Sequence, residues 1–337
     1  MRARYRLALT GTPMENRLDE LASVVGFIDE QALEPRWRLD AQHATRVDSR
    51  REVAGARNLS SLRERLAPWL LRRLRRDVLG QLPCRHDTKV PVGLTRAQAV
   101  AHDELDRPIR RLAQQGAKRP LSRPEFVRLM SLLTQQRIIC DGMALREFAE
   151  RWPHLREQRP EPKLLSALDA PKLAAVRELI EEVVVRQRRK VVVFSQWRRM
   201  LQLLEWATRD LLAKNGVRAV FFTGQERSQR RTHNLVDFHD DDATRVLFAT
   251  DAGGVGLNLQ RAAATVINVE SPWNPAVLEQ RIGRVHRNGQ ARPVDVFLVT
   301  TEGGIESRVC ELVGNKRALF DGLFRRPRRH PSCRGVS

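Results

Sequence analysis

The chain has 337 residues, 42% of them apolar, and carries a formal charge of +20 with a sequence pI near 11.2. That length buries a sizeable core and suggests about two domains of roughly 150 residues. Four scattered cysteines (Cys84, Cys140, Cys310, Cys333) form no CxxC or Cys/His cluster, which argues against a zinc site or a disulfide framework.

The basic surplus favours polyanionic partners bound in a salt-sensitive way. Yet 53 of the 60 basic residues are arginine, and the codon bias of a GC-rich genome would leave the same surplus. No run approaches the roughly 18 apolar residues of a membrane helix, and the first residues lack a signal-peptide stretch. The expectation is a soluble, cytoplasmic chain with reduced thiols and no membrane partner, nucleoid-associated if bacterial.

Residues 1–92 offer a strand at Tyr5 to Leu9, a helix at about Leu18 to Ile28, a polar stretch at Asp40 to Gly55, an arginine-rich segment and a short strand near Lys89 to Val92. This inventory is too thin for an independent doubly wound domain. Residues 93–162 are helix-rich from Thr95 to Trp152, and Pro160 and Pro162 mark a linker.

From Lys163 to about residue 323, short apolar runs alternate with amphipathic segments of helical length, the pattern of βαβ units around a parallel sheet. The expected strands are Val191 to Phe194, Ala219 to Phe222, Val246 to Phe248, Val266 to Val269 and Val294 to Val299. Helices fit at Pro171 to Arg186, Arg198 to Ala213, Arg227 to Phe238 and Ile305 to Phe320. The fold class is therefore α/β, with functional loops at the carboxyl ends of the strands. The tail, 324–337, is basic and reads as disordered.

Two segments carry chemistry. Asn274 can cap a helix, Pro275 suits its first position and Gly289 can end it, which frames about 14 residues. On it Leu278, Ile282 and Val285 share an apolar stripe, while Gln280, Arg284 and Arg287 share the opposite face. Such a guanidinium fork suits charge spread over a γ-phosphoryl group, and a solvated basic face would have the same pattern. Upstream, TDAGGVGLNLQ (Thr250 to Gln260) ends an apolar strand in glycines that let backbone approach a phosphate or a neighbouring loop.

The order strand, TDAGGVGLNL, strand, SPWNP, arginine helix resembles the SWI/SNF-type group of superfamily-two helicase-like ATPases. LTGTPMEN (Leu9 to Asn16), LRRLRRDVLGQLP (Leu71 to Pro83), VRLMSLLTQQRIICD (Val127 to Asp141), APKLAAV (Ala170 to Val176), KVVVFSQW (Lys190 to Trp197) and QRIGRVHRNGQ (Gln280 to Gln290) extend the likeness along nearly the whole chain. The resemblance implies two RecA-like lobes, with residues 1–92 belonging to the first, 93–162 a helical insertion and linker, and 163–323 the second.

It also implies that Arg284 and Arg287 act as fingers, with Gln280 supporting them. Gly254, Gly256, Asp251, Asn258 and Thr12 would bind nucleotide or couple it to the track. Ser195, Gln196, Thr223, Thr250 and Trp273 would meet double-stranded DNA. Asp251 departs from the Lys or Arg common there.

The group's lysine loop, GxxxxGK[ST], is nowhere in the sequence, for none of the seven lysines follows a glycine. Nor do Asp19 and Glu20 sit where the group keeps its magnesium acids, and no metal ligands are expected. The expectation is the C-terminal portion of a DNA translocase, inactive without an N-terminal lobe, for which a separate chain is one candidate. ATP and Mg²⁺ would enter only with that lobe. The alternatives are a truncated remnant or a non-catalytic module that binds nucleic acid or a partner.

Overall fold

The computed structural model describes residues 5–9, 18–46, 53–56, 58–71, 82–119, 121–251 and 257–306. The chain divides into two compact units, one of residues 1–78 with 313–337 and one of 79–312. No helix among the described residues is long and apolar enough to cross a membrane.

In the first unit, helices α1 (Leu18–Ile28), α2 (Arg36–His43) and α3 (Leu59–Leu66) accompany an antiparallel pair, β1 (Ala44–Arg46) and β2 (Val53–Ala56). Leu21, Val25, Leu33, Leu39, Leu62 and Leu66 form its core. Helix α1 has the bounds its apolar spacing foretold. The strand expected at Tyr5 to Leu9 is not one: those residues are irregular, and Tyr5, Leu7 and Leu9 are all exposed. A strand needs a neighbouring ladder, and among the described residues none lies beside this one.

The second unit is built on a six-stranded parallel sheet with strand order β3-β8-β7-β4-β6-β5. Its strands are β3 (Arg85–Val92), β4 (Val191–Phe194), β5 (Arg218–Phe222), β6 (Thr244–Ala249), β7 (Thr265–Asn268) and β8 (Val294–Thr301). The five strands expected after Lys163 are all present. The sixth is a correction, because the strand near Lys89, grouped in the sequence with residues 1–92, pairs with β8 from Arg85↔Val294 to Val92↔Thr301. Sequence distance hid this edge, since some 200 residues separate the partners.

Alternate residues of β4 face opposite layers. Val191 and Val193 join the core formed with α9 (Pro171–Ile180), a π-helical turn (Glu181–Arg186) and α10 (Arg198–Lys214). Val192 and Phe194 join the other core, with α11 (Ser228–Asp240) and α12 (Pro275–Ile282).

Before them run α4 (Arg96–Lys118), opened by a Thr95/Gln98 capping box, and α5 (Arg123–Asp141), opened by Ser122 and Glu125. Short helices α6 (Met143–Arg146), α7 (Phe148–Leu155) and α8 (Pro162–Ser166) follow. This helical module shares the core of the sheet domain through Leu145, Phe148 and Leu155. Gly142, between α5 and α6, has φ +149°, and a Cβ there would stand 2.7 Å from Ala170 Cβ. Only glycine suits that join.

Candidate nucleotide and nucleic-acid site

Ser195, Thr250 and Glu270 stand just past the carboxyl ends of β4, β6 and β7, where a doubly wound sheet places its ligands. Backbone bonds continue the sheet into these loops: Ser195 N donates to Ala249 O, Val269 N to Phe194 O, and Thr250 N to Phe222 O.

Sequence reading overlooked the residue that ties these ends together. Arg281, 3% exposed, donates from Nε to Asp251 Oδ1 (2.6 Å) and from Nη2 to Asp251 Oδ2 (2.7 Å), and Nη2 also reaches Glu270 Oε1 (3.3 Å). Glu270 accepts in turn from Ser195 Oγ (2.9 Å) and Gln196 N (2.6 Å), and Ser195 Oγ accepts from Trp197 N. Burial opposes the charge on Arg281, yet bonding and attraction from Asp251 and Glu270 outweigh it and hold the pKa above its ordinary value. Asp251, expected at the nucleotide, has both oxygens engaged by this guanidinium.

The arginine segment is not the 14-residue helix its caps suggested. Asn274 does cap it, accepting from Ala276 N at 2.9 Å, and Pro275 occupies its first turn. The helix ends at Ile282 and continues as tighter turns, with Arg284 N bonded to Arg281 O, Val285 N to Ile282 O and Gln290 N to Arg287 O. Tertiary bonds explain the early stop, for the Arg284 carbonyl accepts from Leu259 N and Gln290 Nε2 donates to Ala263 O. Gly289 has φ +90° but closes the turns rather than the helix.

Ile282 and Val285 are buried as the apolar stripe required. Gln280 is exposed on α12, whereas Arg284 and Arg287 are half-buried on the turns beyond it, so the three do not share one helix face. Arg287 donates to Asn258 Oδ1, which brings two expected site residues together. His286 Nε2 lies 3.0 Å from Pro83 O, an atom that can only accept.

Of the remaining expected residues, Thr223 is buried, its hydroxyl accepting from Arg198 Nε and its amide donating to Glu226. Trp273 is half-buried with Arg137 over its ring, 5.3 Å from the centroid. Thr12, Gly254 and Gly256 lie outside the described residues, as do most of LTGTPMEN, the arginine-rich segment and the tail.

This arrangement, a parallel doubly wound sheet with an arginine segment strapped across the carboxyl ends of its central strands, is that of a RecA-like helicase lobe. Residues 171–289 match the helicase conserved C-terminal domain, and residues 1–145 match the SNF2-related domain. The chain belongs to the SWI/SNF-type family of helicase-like ATPases.

Among curated relatives, it is 30% identical over 323 residues to the ISWI chromatin-remodeling complex ATPase CHR17 of Arabidopsis thaliana, covering 94% of this chain and 28% of that one. It is 26% identical over 326 residues to the uncharacterized ATP-dependent helicase YqhH of Bacillus subtilis, covering 94% and 54%. The chain thus spans about half or less of the length of these relatives. Among solved structures, the Sulfolobus solfataricus SWI2/SNF2 ATPase core in complex with dsDNA aligns with TM-score 0.54 at 24% identity, over 94% of this chain and 61% of that one. The C-terminal part of the Fun30 ATPase domain aligns with TM-score 0.52 at 18% identity, over 69% and 90%.

Proposed function

We propose that this chain supplies the arginine-bearing, duplex-facing lobe of an ATP-driven translocase on double-stranded DNA. One observation carries the reading: Arg281 and Glu270 join the loop at Ser195 and Gln196 to the segment bearing Arg284 and Arg287 in a single buried cluster. Groups assigned to DNA and groups assigned to nucleotide thereby move as one body, which a motor requires.

Arg284 and Arg287, half-buried residues on anchored turns, fit the charge of a triphosphate, and Gln280 lies exposed on the helix before them. Bound ATP with Mg²⁺ supplies a hydrolysable phosphoanhydride. The grip of a lysine loop is not encoded in these 337 residues, so it would come from a further segment, on the same polypeptide or another. Asn258 orients Arg287, and Asp251 anchors Arg281 rather than meeting phosphate. Gln196 and Trp273, both partly exposed, are the duplex contacts of this reading, while Ser195, Thr223 and Thr250 are buried and act behind them. The dsDNA bound to the Sulfolobus relative supports a duplex as the partner, as does the charge of +20.

The test has two parts. Duplex binding by this chain should weaken steeply as salt rises. In a preparation that also contains the nucleotide-binding half, DNA-stimulated hydrolysis should fall by about 10³- to 10⁵-fold in Arg284→Ala or Arg287→Ala. Hydrolysis indifferent to both substitutions would leave a non-catalytic binding module.

A further inference from the structure

Arg137 lies on α5 of the helical module and is 3% exposed. Its Nη2 donates to Ser271 O (2.9 Å), and its guanidinium lies over the Trp273 ring, 5.3 Å from the centroid. Its Nε is buried and has no hydrogen-bond partner among the described residues. A buried arginine is costly unless it is well satisfied. This one is bound through a carbonyl and an aromatic face rather than by a carboxylate.

What it binds is the SPWNP loop, between Glu270 at the end of β7 and Asn274 at the cap of α12. Ser271 is buried while Trp273 is half-buried, so the loop is anchored at Ser271 and part of Trp273 reaches solvent. Two fixed points, a hydrogen bond two residues before the ring and a cation over the ring itself, restrict the indole's freedom to turn.

We propose that Arg137 is a positioning residue: from the helical module it fixes the orientation of Trp273, so that the solvent-reaching part of that residue meets duplex DNA. The inference rests on the functional reading above, in which Trp273 is a DNA contact, and adds the group that sets it. The helical module then has a duty beyond linking two parts of the chain. Any displacement of α5 carries the indole with it, and the α12 cap lies only one residue further on.

The test is a double-mutant cycle on duplex affinity, read by fluorescence anisotropy with the whole chain at fixed salt and well below the melting temperature. Arg137→Met keeps the stem and removes the planar charge. It should weaken binding roughly three- to tenfold, the cost of ordering one freed side chain when the duplex binds. Trp273→Ala should weaken binding at least as much.

The double variant should be no weaker than Trp273→Ala alone, because Arg137 acts only through the ring. A merely structural arginine would lower affinity additively with Trp273→Ala. Should Arg137→Met fail to fold, Arg137→Lys serves in its place, retaining charge but not the flat face, and should also weaken binding. Duplex binding by the wild type with Arg137 variants unchanged, or with additive losses, overturns this inference alone. Absence of duplex binding by the wild type overturns the functional reading along with it.

Discussion

Arg281 and Lys172 each sit buried between two carboxylates, but the surroundings of the two clusters differ. Around Arg281, Asp251 keeps 37% of its side chain in solvent, and Glu270 has two further donors in Ser195 Oγ and Gln196 N. Around Lys172, whose Nζ is 2.9 Å from Asp141 Oδ1 and 2.6 Å from Glu306 Oε2, both acids are essentially inaccessible. Glu306 Oε2 has a second donor in Thr301 N, but Asp141 Oδ2 and Glu306 Oε1 have no hydrogen-bond partner among the described residues. The first cluster holds strand ends and the arginine segment in place near solvent. The second clasps α5, α9 and the end of β8 together in the dry interior, and with both acids ionised it carries one negative charge too many.

The sharpest way to break this comparison is to remove each cation. Lys172→Met strands two buried carboxylates, and losing one partner of a buried ion pair costs about 3–5 kcal/mol. Chemical denaturation of the whole chain should show that loss in the unfolding of the sheet domain. Arg281→Met should cost less, on the order of 2 kcal/mol, because Glu270 keeps its Ser195 and Gln196 donors while Asp251 turns to water. A larger loss for Arg281→Met than for Lys172→Met would reverse the ranking drawn from solvent access.

Neither cluster was legible in the sequence, although much around them was. The strands after Lys163 could be read because a strand buried on both faces is a short continuous apolar run, as in VVVF and the VLFA of β6. Local cap chemistry at Asn274 was equally readable. The end of that helix was not, because the Arg284 carbonyl is claimed by Leu259, a partner that no local pattern announces. Arg281 and Glu270 went unnoticed for the same reason, since ion pairs between strand ends leave no periodic signal. One clue existed: Glu270 directly follows the expected strand Val266 to Val269, and a carboxylate at the end of a buried strand must be paired. Arg137 offered no comparable sign within an amphipathic helix.

The excess charge at Lys172 also sharpens the comparison through pH. Burial pushes the Asp141 carboxyl up to about 7, against the attraction of Lys172 and together with repulsion from Glu306 and Glu270, while the two acids raise the pKa of Lys172 despite its own burial. The folded state therefore holds a proton on Asp141 that the unfolded chain releases near the ordinary carboxylate value of about 4. Between about pH 4 and pH 7 the folded form binds more protons, so this group makes the protein more stable as pH falls through that window and less stable above it.

The slope from one such proton is about 1.4 kcal/mol per pH unit at most. The carboxylates held below their ordinary values, Glu125 and Asp241 at about 2 together with Asp106 and Glu226, act on stability only below about pH 4.5 and do not mask this window. Asp141→Asn should flatten the profile between pH 5 and pH 7 relative to the wild type. An unchanged slope in that variant would mean that Asp141 stays ionised beside Lys172, and that the interior cluster tolerates its extra charge as the Arg281 cluster does at its wetter site.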